Sequence, residues 1–333
     1  MPLTLGMASS HFPSLFQYTY EGWHRYWKVL SDGIPQPPEI ADQGEACVAD
    51  WMERRTRAFD RLQTAFTRAR PTALIVVAGD QDEWMSGANL PNIMIHSGAA
   101  DIDGFHNYGD FDTDPPQRWW ELPERFGVRV PVAYKLADHL TSELVQREFD
   151  VAISRRVNPQ GRPERRAPHG LTRPLPLIMP ALDVPIVPLI IKTIERSKAI
   201  LSGERCLDLG RAIAEICAGI DEPVAIYGSG GMSHDPSGPM SGWVDESLDR
   251  WVLECLESGD VDALRALFSF RSMATDSGTG ELRTWLVAAG AMHDAQTSYR
   301  CDVVDYFAAH LATAGCGWVL WDASREKVND DRG

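Results

Sequence analysis

The sequence has 333 residues, of which 44% are hydrophobic and 24% are charged, an ordinary globular balance that suffices for a sizeable buried core. Its formal net charge of −15 makes a polyanion such as nucleic acid an unfavourable partner. It contains no apolar run of about 18 residues, and its first residues lack the basic start and apolar core of a signal peptide. We therefore expect a cytoplasmic protein without a membrane or nucleic-acid partner.

The first part of the chain alternates between predicted strands and helices. LTLGMASS is typical of a buried strand, and it ends just before His11. Residues 44–70 have apolar positions at helical spacing, and the β-branched run PTALIVVAGD predicts a second buried strand. The polar, glycine-rich segment that follows, residues 81–111, is predicted to be a functional loop, as long irregular segments usually are.

The rest of the chain continues this alternation. A helix is predicted after Pro131, a basic and proline-rich loop at residues 155–173, a strand at PIVPLIIKTI, a helix at GERCLDLGRAIAEICAGI and a strand at PVAIYGSGG. After His234 the pattern is mainly helical, in WVDESLDRWVLECLES, DVDALRAL and ELRTWLVAAGAM. The alternation predicts an α/β fold: a single domain with a central mixed sheet flanked by helices and a mainly helical C-terminal part.

No break in composition divides the chain, so we predict one catalytic domain at residues 1–325 and a polar C-terminal tail at 326–333. Six cysteines are scattered without a CxxC pair, which favours reduced thiols over a zinc site or a disulfide framework.

Chemically capable residues follow the ends of the predicted strands, where ligand sites of open α/β sheets gather. They are His11, Asp80, Gln81 and His234, and Glu281 stands at the start of a predicted helix. Each of them, taken alone, also has a structural explanation. Glu281, for example, would complement the helix dipole. The glycines of YGSGGMSH lack the spacing and the lysine of a phosphate-binding loop, which disfavours a nucleotide site.

Four motifs in a fixed order carry a resemblance: SSHFPSL, APHGL, YGSGGMSHDPSGP and GTGELRTWLVAAGAM. Together they resemble the class III extradiol ring-cleaving dioxygenases, the family of the protocatechuate 4,5-dioxygenase catalytic subunit. The resemblance extends from His11 to about Met292, and the stand-alone length is most similar to the 3-O-methylgallate dioxygenase branch.

The resemblance implies a metal site. Members of this family hold Fe(II) with two histidines and a glutamate, a donor set that suits ferrous oxygenases because it leaves positions open for substrate and O₂. His11 would be the first ligand and Glu281 the carboxylate, while Gln81 stands where the family has its second histidine.

Because a glutamine stands at this position, the sequence leaves several alternatives for the metal ligands. Gln81 could bind the metal through its neutral carbonyl oxygen, less tightly than an imidazole would. Asp80 or Asp82 could coordinate instead, which would favour Mn(II) or Mg(II) somewhat more. His96 or His106 could also fold back from the following loop, or the chain could be a member that has lost its metal.

The resemblance assigns two further histidines to the reaction. His234 would be the acid/base, because a phenolic proton must leave and a proton must later return, and imidazole titrates near neutrality. His169 would lie near the substrate and hydrogen-bond a hydroxyl group or the bound oxygen; the alternative is an exposed loop histidine. A substrate carboxylate could bind one arginine of the surrounding basic stretch, most of which we expect to be a solvated face. These arginines are Arg155, Arg156, Arg162, Arg165, Arg166 and Arg173.

The leading hypothesis is an oxidoreductase of aromatic compound catabolism, an Fe(II)-dependent extradiol dioxygenase that acts on a catecholic or related hydroxylated aromatic acid with O₂. The alternatives are a metal-dependent hydrolase or lyase on the same scaffold, and a non-catalytic binding member. The resemblance also implies a homodimer.

Overall fold

The computed structural model describes most of the chain, and the structural statements that follow concern this part. It comprises residues 3–81, 83–85, 89–107, 109–118, 126–156, 167–194, 200–236, 238–269, 277–293 and 299–322. The predicted tail at 326–333 lies outside the described residues, as do Asp82, Arg162, Arg165 and Arg166.

An eight-stranded mixed sheet forms the centre of the fold. The strands are β1 (Leu3–Ser9), β2 (Ala73–Ala78), β3 (Ile93–His96), β4 (Ile102–Phe105), β5 (Gly109–Asp110), β6 (Gln117–Arg118), β7 (Gly127–Val130), β8 (Ala152–Ser154), β9 (Ile186–Ile191), β10 (Val224–Ser229), β11 (Cys301–Ala309) and β12 (Ala314–Asp322). The sheet order is β11-β12-β1-β10-β2-β9-β3-β8. The central strands β1, β10, β2 and β9 are parallel, whereas β12 and β3 run antiparallel to β1 and β9.

Helices cover both faces of this sheet. They are α1 (Tyr20–Ser31), α2 (Glu45–Ala69), α3 (Tyr134–Gln146), α4 (His169–Thr172), α5 (Leu175–Ile178), α6 (Gly203–Cys217), α7 (Glu246–Ser258) and α8 (Leu282–Met292). In β2, Ile75 and Val77 pack in one hydrophobic core with α3, α6, α7 and α8, while Leu74 and Val76 pack in the other with α1, α2 and α5. Because both faces of β2 are buried, its sequence is continuously apolar rather than alternating.

The predicted fold class, a mixed α/β domain with a central sheet flanked by helices, is confirmed. The four predicted strands are β1, β2, β9 and β10, and the predicted helix at residues 44–70 is α2. The helical part after His234 contains α7 and α8 but is completed by the β11–β12 pair, which extends the sheet and was not predicted.

Two local predictions were wrong. The loop expected at residues 81–111 contains the buried strand β3, whose NIMIH sequence pairs with β9 despite its polar surroundings. The stretch DVDALRAL forms only a short 3-10 turn, Ala263–Ala266. This stretch is too short to propagate a helix, because nucleation is costly and it lies between Gly259 and Phe268, both at positive φ.

All six cysteines are free thiols, as the sequence predicts. Within the described residues, none of the helices combines the length and the apolarity that a membrane span requires.

Helices α6 and α8 lie unusually close together because each contributes a glycine to the contact. A Cβ atom on Gly210 would overlap the carbonyl oxygen of Val287, and a Cβ atom on Gly290 would overlap that of Leu207. Both obstacles are backbone atoms, which cannot swing aside as a flexible side chain can. The glycine pair therefore sets the position of α8 against the sheet.

Substitution of Gly290 by alanine should destabilise the protein. Overpacking costs roughly 1–3 kcal/mol, which exceeds the gain of about 1 kcal/mol in helix propensity. We expect the free energy of unfolding, measured by urea denaturation, to fall by about 1 kcal/mol, the difference between these two effects. Gly219→Ala, where a Cβ atom would make only an ordinary contact at 3.6 Å, is the matched control. Equal stability of the two variants would contradict this account.

Candidate active site

The predicted site residues meet at the carboxyl ends of three neighbouring parallel strands. His11 follows β1, His234 follows β10 and Gln81 follows β2. Glu281 reaches the same edge as the last residue of the 3-10 turn Gly278–Glu281, which leads into α8. The sheet order therefore brings together residues that are far apart in the chain.

Glu281 is the centre of this arrangement. Its side chain is buried, with Oε1 accepting a hydrogen bond of 2.9 Å from Nε2 of Gln81 and Oε2 accepting one of 2.9 Å from the backbone N–H of Gly231. Oε2 also lies 3.7 Å from Nε2 of His11 and 3.8 Å from Nε2 of His234. One carboxylate thus contacts the exits of all three strands.

The glycines after β10 make room for this carboxylate and its helix. A Cβ atom on Gly230 would lie 2.8 Å from both Cβ and Oε2 of Glu281, and one on Gly228 would lie 2.6 Å from the carbonyl oxygen of Thr284 in α8. Gly230 and Gly231 also have φ angles of 137° and 69°, which side chains rarely adopt. These glycines are packed against Glu281 and α8.

His11 is held as a neutral ring. It is buried, and its Nδ1 hydrogen-bonds Oγ of Ser229 at 2.8 Å while Nε2 faces Glu281. Burial, with electrostatic contributions from His169 and Arg173, keeps the pKa of His11 well below its ordinary value. A neutral imidazole with an available nitrogen is the form that binds a metal ion.

His169 lies against His11 rather than on an exposed loop. The two rings meet edge to face with centroids 4.9 Å apart. Oε1 of Glu83 accepts hydrogen bonds from the backbone N–H of His169 at 3.0 Å and from its Nδ1 at 2.7 Å. Burial acts to raise the pKa of Glu83, but the contacts with His169 outweigh it and lower the pKa. Glu83 was not singled out from the sequence, although it stands only two residues after Gln81.

Within the described residues, His11, His169 and Glu281 form a group that could hold a metal ion. Each offers one ligand atom, and these atoms lie within 4.8 Å of one another. The 3.7 Å between Nε2 of His11 and Oε2 of Glu281 is within the roughly 4.2 Å that two ligands of one ion can span at bond lengths of about 2.1 Å. The donor types suit a divalent transition metal, and any pair of ligand atoms farther apart than about 4.2 Å would have to move closer around one ion.

His234 presents a hydrogen-bond acceptor to the same place. Its Nδ1 lies 2.8 Å from the carbonyl oxygen of Met232, which can only accept, so Nδ1 carries a proton and, in the neutral ring, Nε2 has the lone pair. The His234 carbonyl accepts hydrogen bonds from the backbone N–H of Thr279 and the hydroxyl of Ser277. The loop with His234 and the turn with Glu281 are therefore fixed to each other.

Asp249, a buried carboxyl group that was not predicted from the sequence, supports the loop that carries His234. Asp249 of α7 accepts hydrogen bonds from the backbone N–H and the hydroxyl of Ser233 at 2.9 and 2.8 Å, and from the hydroxyl of Tyr306 at 3.0 Å. Burial raises the pKa of Asp249 to about 7, against the opposing effect of these hydrogen bonds. Asp249 anchors the residue immediately before His234.

The other candidate ligands lie elsewhere. Asp80 accepts hydrogen bonds from the backbone N–H groups of Glu83, Trp84 and Met85, and burial together with Glu83 raises its pKa to about 6. His96 hydrogen-bonds Ser154, packs on Trp84 and has its pKa lowered to about 4 by burial. The ring of His106 lies against Phe126.

The basic stretch divides into exposed and buried arginines. Arg155 and Arg156 are exposed, and Arg155 lies 3.7 Å from Asp138. Arg173 is buried and donates a hydrogen bond of 2.8 Å from Nη1 to the carbonyl oxygen of His11. Of the described arginines in this stretch, Arg173 thus supports the site by holding the backbone of His11.

Replacement of Asp249 by asparagine should change the pH dependence of stability. Asp249 titrates near 4 in the unfolded chain and at about 7 in the folded protein. The folded state therefore binds more protons between these values, and the contribution of Asp249 to stability is lost as the pH rises through about 7. Relative to Asp249→Asn, the wild type should lose roughly 2–3 kcal/mol of unfolding free energy between about pH 5 and about pH 8.

Urea denaturation at both pH values measures this difference. Asp262→Asn, at an exposed carboxylate whose pKa is lowered by Arg265, is the control that should show no change in this window. A wild-type to Asp249→Asn difference that is independent of pH would refute the assignment.

The chain is similar to several known proteins. A family model described as the catalytic LigB subunit of aromatic ring-opening dioxygenase matches residues 6–313. A protein of Burkholderia vietnamiensis named 2,3-dihydroxyphenylpropionate/2,3-dihydroxicinnamic acid 1,2-dioxygenase is 26% identical over 314 residues, which cover 80% of this chain and 88% of that protein. A Rhodococcus protein of the same name is 24% identical over 306 residues, covering 78% and 88%.

A solved structure shares the fold. The uncharacterized protein JW3007 of Escherichia coli K12 superposes with a TM-score of 0.52 at 16% sequence identity, covering 80% of this chain and 91% of that one. The family resemblance in the four sequence motifs is confirmed by the family match, while the closer similarity to the 3-O-methylgallate branch stays a prediction. With the match spanning nearly the whole chain, this protein belongs to the family of LigB catalytic subunits of aromatic ring-opening dioxygenases.

Proposed function

We propose that this protein is an Fe(II)-dependent extradiol dioxygenase that opens the ring of a catecholic aromatic acid with O₂. The observation that carries the proposal is the convergence of His11, His169 and Glu281, with ligand atoms within 4.8 Å of one another. Nε2 of His234 lies 3.8 Å from the same carboxylate. Family membership and the names of the relatives support the reaction class.

The proposed ligands are His11, Glu281 and His169. His169 comes from α4 and not from the exit of β2, where the family pattern has its second histidine and this chain has Gln81. Its Nδ1 is engaged by Glu83, so Nε2 is the nitrogen available for a metal. Two imidazoles and one carboxylate favour Fe(II) over Mn(II), which stays the alternative metal.

The sequence position of Gln81 predicts a metal ligand, but in this proposal Gln81 has a different role. Its amide nitrogen donates to Oε1 of Glu281 at 2.9 Å. This hydrogen bond orients the carboxylate and leaves Oε2 toward the two histidines. Ligation by the carbonyl oxygen of Gln81, as predicted from the sequence, stays the competing assignment.

The bound metal would supply adjacent positions for the two substrate hydroxyl groups and O₂. His234 accepts a phenolic proton on Nε2, since its Nδ1 proton is held by the Met232 carbonyl, and later returns that proton to the product. One carbon–carbon bond beside the diol breaks and both oxygen atoms enter the product, so no external reductant is consumed. The neutral state of His11 avoids competition between a proton and the metal.

The substrate class follows from the relatives. Their names specify dihydroxylated aromatic acids, so we propose a vicinal diol with a carboxylate side chain as the substrate. Of the described arginines in the basic stretch, the exposed candidates for binding that carboxylate are Arg156 and Arg155, which lies 3.7 Å from Asp138. A homodimer and a place in aromatic compound catabolism belong to the same proposal.

Activity is tested by anaerobic loading with Fe(II), addition of one aromatic acid and admission of oxygen. The panel contains 2,3-dihydroxyphenylpropionate, protocatechuate and 3-O-methylgallate. We expect stoichiometric O₂ uptake and a yellow ring-opened product. His234→Ala should bind Fe(II) normally but lose about 10²–10⁴-fold in kcat, because proton transfer by a positioned side chain contributes that much.

Other outcomes separate the alternatives. Turnover in the absence of oxygen would favour the hydrolase or lyase. Inactivity of the iron-loaded protein on a broad panel of vicinal diols and aminophenols would refute the dioxygenase proposal and favour a non-catalytic member.

The ligand set is tested by metal content. We expect His11→Ala, His169→Ala and Glu281→Ala each to lower Fe(II) affinity at least tenfold, because each loses a ligand. Gln81→Ala should lower it less, because the amide only orients Glu281. Anaerobic competition with a chromophoric chelator measures these affinities, and His139→Ala, on α3 in the cavity beside Tyr134 and Glu222, is the control histidine variant. If His169→Ala bound the metal fully and Gln81→Ala did not, Gln81 rather than His169 would be the ligand.

A further inference from the structure

The turn after β2 carries a carboxylate that contacts two of the candidate site residues. Oε1 of Glu83 accepts hydrogen bonds from the backbone N–H of His169 at 3.0 Å and from its Nδ1 at 2.7 Å. Oε2 of Glu83 faces the backbone N–H of Gln81 at 3.4 Å. One side chain thus joins the exit of β2 to the first residue of α4.

The backbone of this turn is itself held in place. The carboxylate of Asp80 accepts hydrogen bonds from the backbone N–H groups of Glu83, Trp84 and Met85, at 3.3, 2.8 and 3.1 Å. The side chain of Trp84, between them, is buried and packs against His96. Glu83 therefore projects from a fixed backbone toward His169.

These contacts determine the state of the His169 ring. An ionised carboxylate can only accept, so the 2.7 Å bond places a proton on Nδ1, and in the neutral ring the lone pair is then on Nε2. The second bond, to the backbone N–H, fixes the origin of the side chain. The ring then meets His11 edge to face at 4.9 Å. Carboxylates that accept from a ligand histidine in this way raise its basicity and fix its orientation.

We propose that Glu83 is the positioning residue for His169, selecting the Nδ1–H tautomer and directing Nε2 to the metal. This inference rests on the proposed function in one respect, namely that His169 is a ligand. The side chains of Glu83 and His169 are 15% and 18% exposed, so the pair lies at the rim of the site and not in the hydrophobic core. Its loss should therefore affect metal binding more than folding.

The experiment compares Glu83→Ala and Glu83→Gln with the wild type. Glu83→Ala removes the acceptor, whereas the amide oxygen of Glu83→Gln can still accept from Nδ1. We expect Fe(II) affinity, measured anaerobically against a chromophoric chelator, to fall about 10–100-fold in Glu83→Ala. Glu83→Gln should recover most of this loss. Glu143→Ala, at a half-buried glutamate paired with Arg147 on α3, is the matched control and should bind as the wild type does.

The tautomer is measured directly in the metal-free protein. Long-range ¹H–¹⁵N NMR spectra, with His169→Ala for assignment, should show Nδ1–H in the wild type and in Glu83→Gln. Glu83→Ala should show a mixture of the two tautomers. A merely structural role of Glu83 would lower the unfolding temperature without changing the tautomer.

The failure of this inference is distinguishable from failure of the proposed function. An unchanged Nδ1–H tautomer in Glu83→Ala overturns the positioning role, and so does unchanged Fe(II) affinity when His169→Ala has lost affinity. Retention of full Fe(II) affinity by both His11→Ala and Glu281→Ala overturns the proposed ligand set instead. In that case the tautomer measurement still tests the effect of Glu83 on His169, because it uses no metal.

Discussion

The buried carboxylate of Glu281 is the constraint on which the rest of the site depends. A carboxylate removed from water is costly unless hydrogen bonds and opposite charge compensate it. Here the compensation comes from the amide of Gln81 and the backbone N–H of Gly231, which donate hydrogen bonds to its two oxygens. These donors follow β2 and β10, which are neighbours in the sheet but far apart in the chain, so Glu281 is accommodated only when these strands are paired.

The position of α8 follows from the same requirement. Trp285 donates a hydrogen bond to the carbonyl oxygen of Gly230, and Thr284 donates one to that of Ser229, which hold the start of the helix against the exit of β10. On its other side α8 approaches α6 through Gly290. The glycines thus matter as much as the larger residues, because they allow close contact between backbones. This contact lets α8 place the carboxylate of Glu281 in the interior.

Much of this could be predicted from local sequence. His11, His234 and Glu281 were expected at one edge of the sheet. The structure places Nε2 of His11 and Nε2 of His234 within 4 Å of Oε2 of Glu281. The place of His169 beside His11, and the parts of Glu83 and Asp249, could not be predicted in this way. They depend on contacts between elements that are remote in the chain, as between Glu83 and His169. Neither the periodicity of the apolar residues nor the spacing of the motifs indicates such contacts.

The sequence by itself determined the central strands, most of the flanking helices and the polar residues at the strand ends, because runs of apolar residues and their interruptions are local properties of the chain. Only the tertiary structure decided which of those residues meet. The sheet places β10 between β1 and β2, contrary to chain order, and this order sets Gln81 and His11 on either side of the loop with His234. Hydrogen bonds form only at short range and with directed geometry, so the pairing of Glu281 with Gln81 and of Glu83 with His169 depends on that packing.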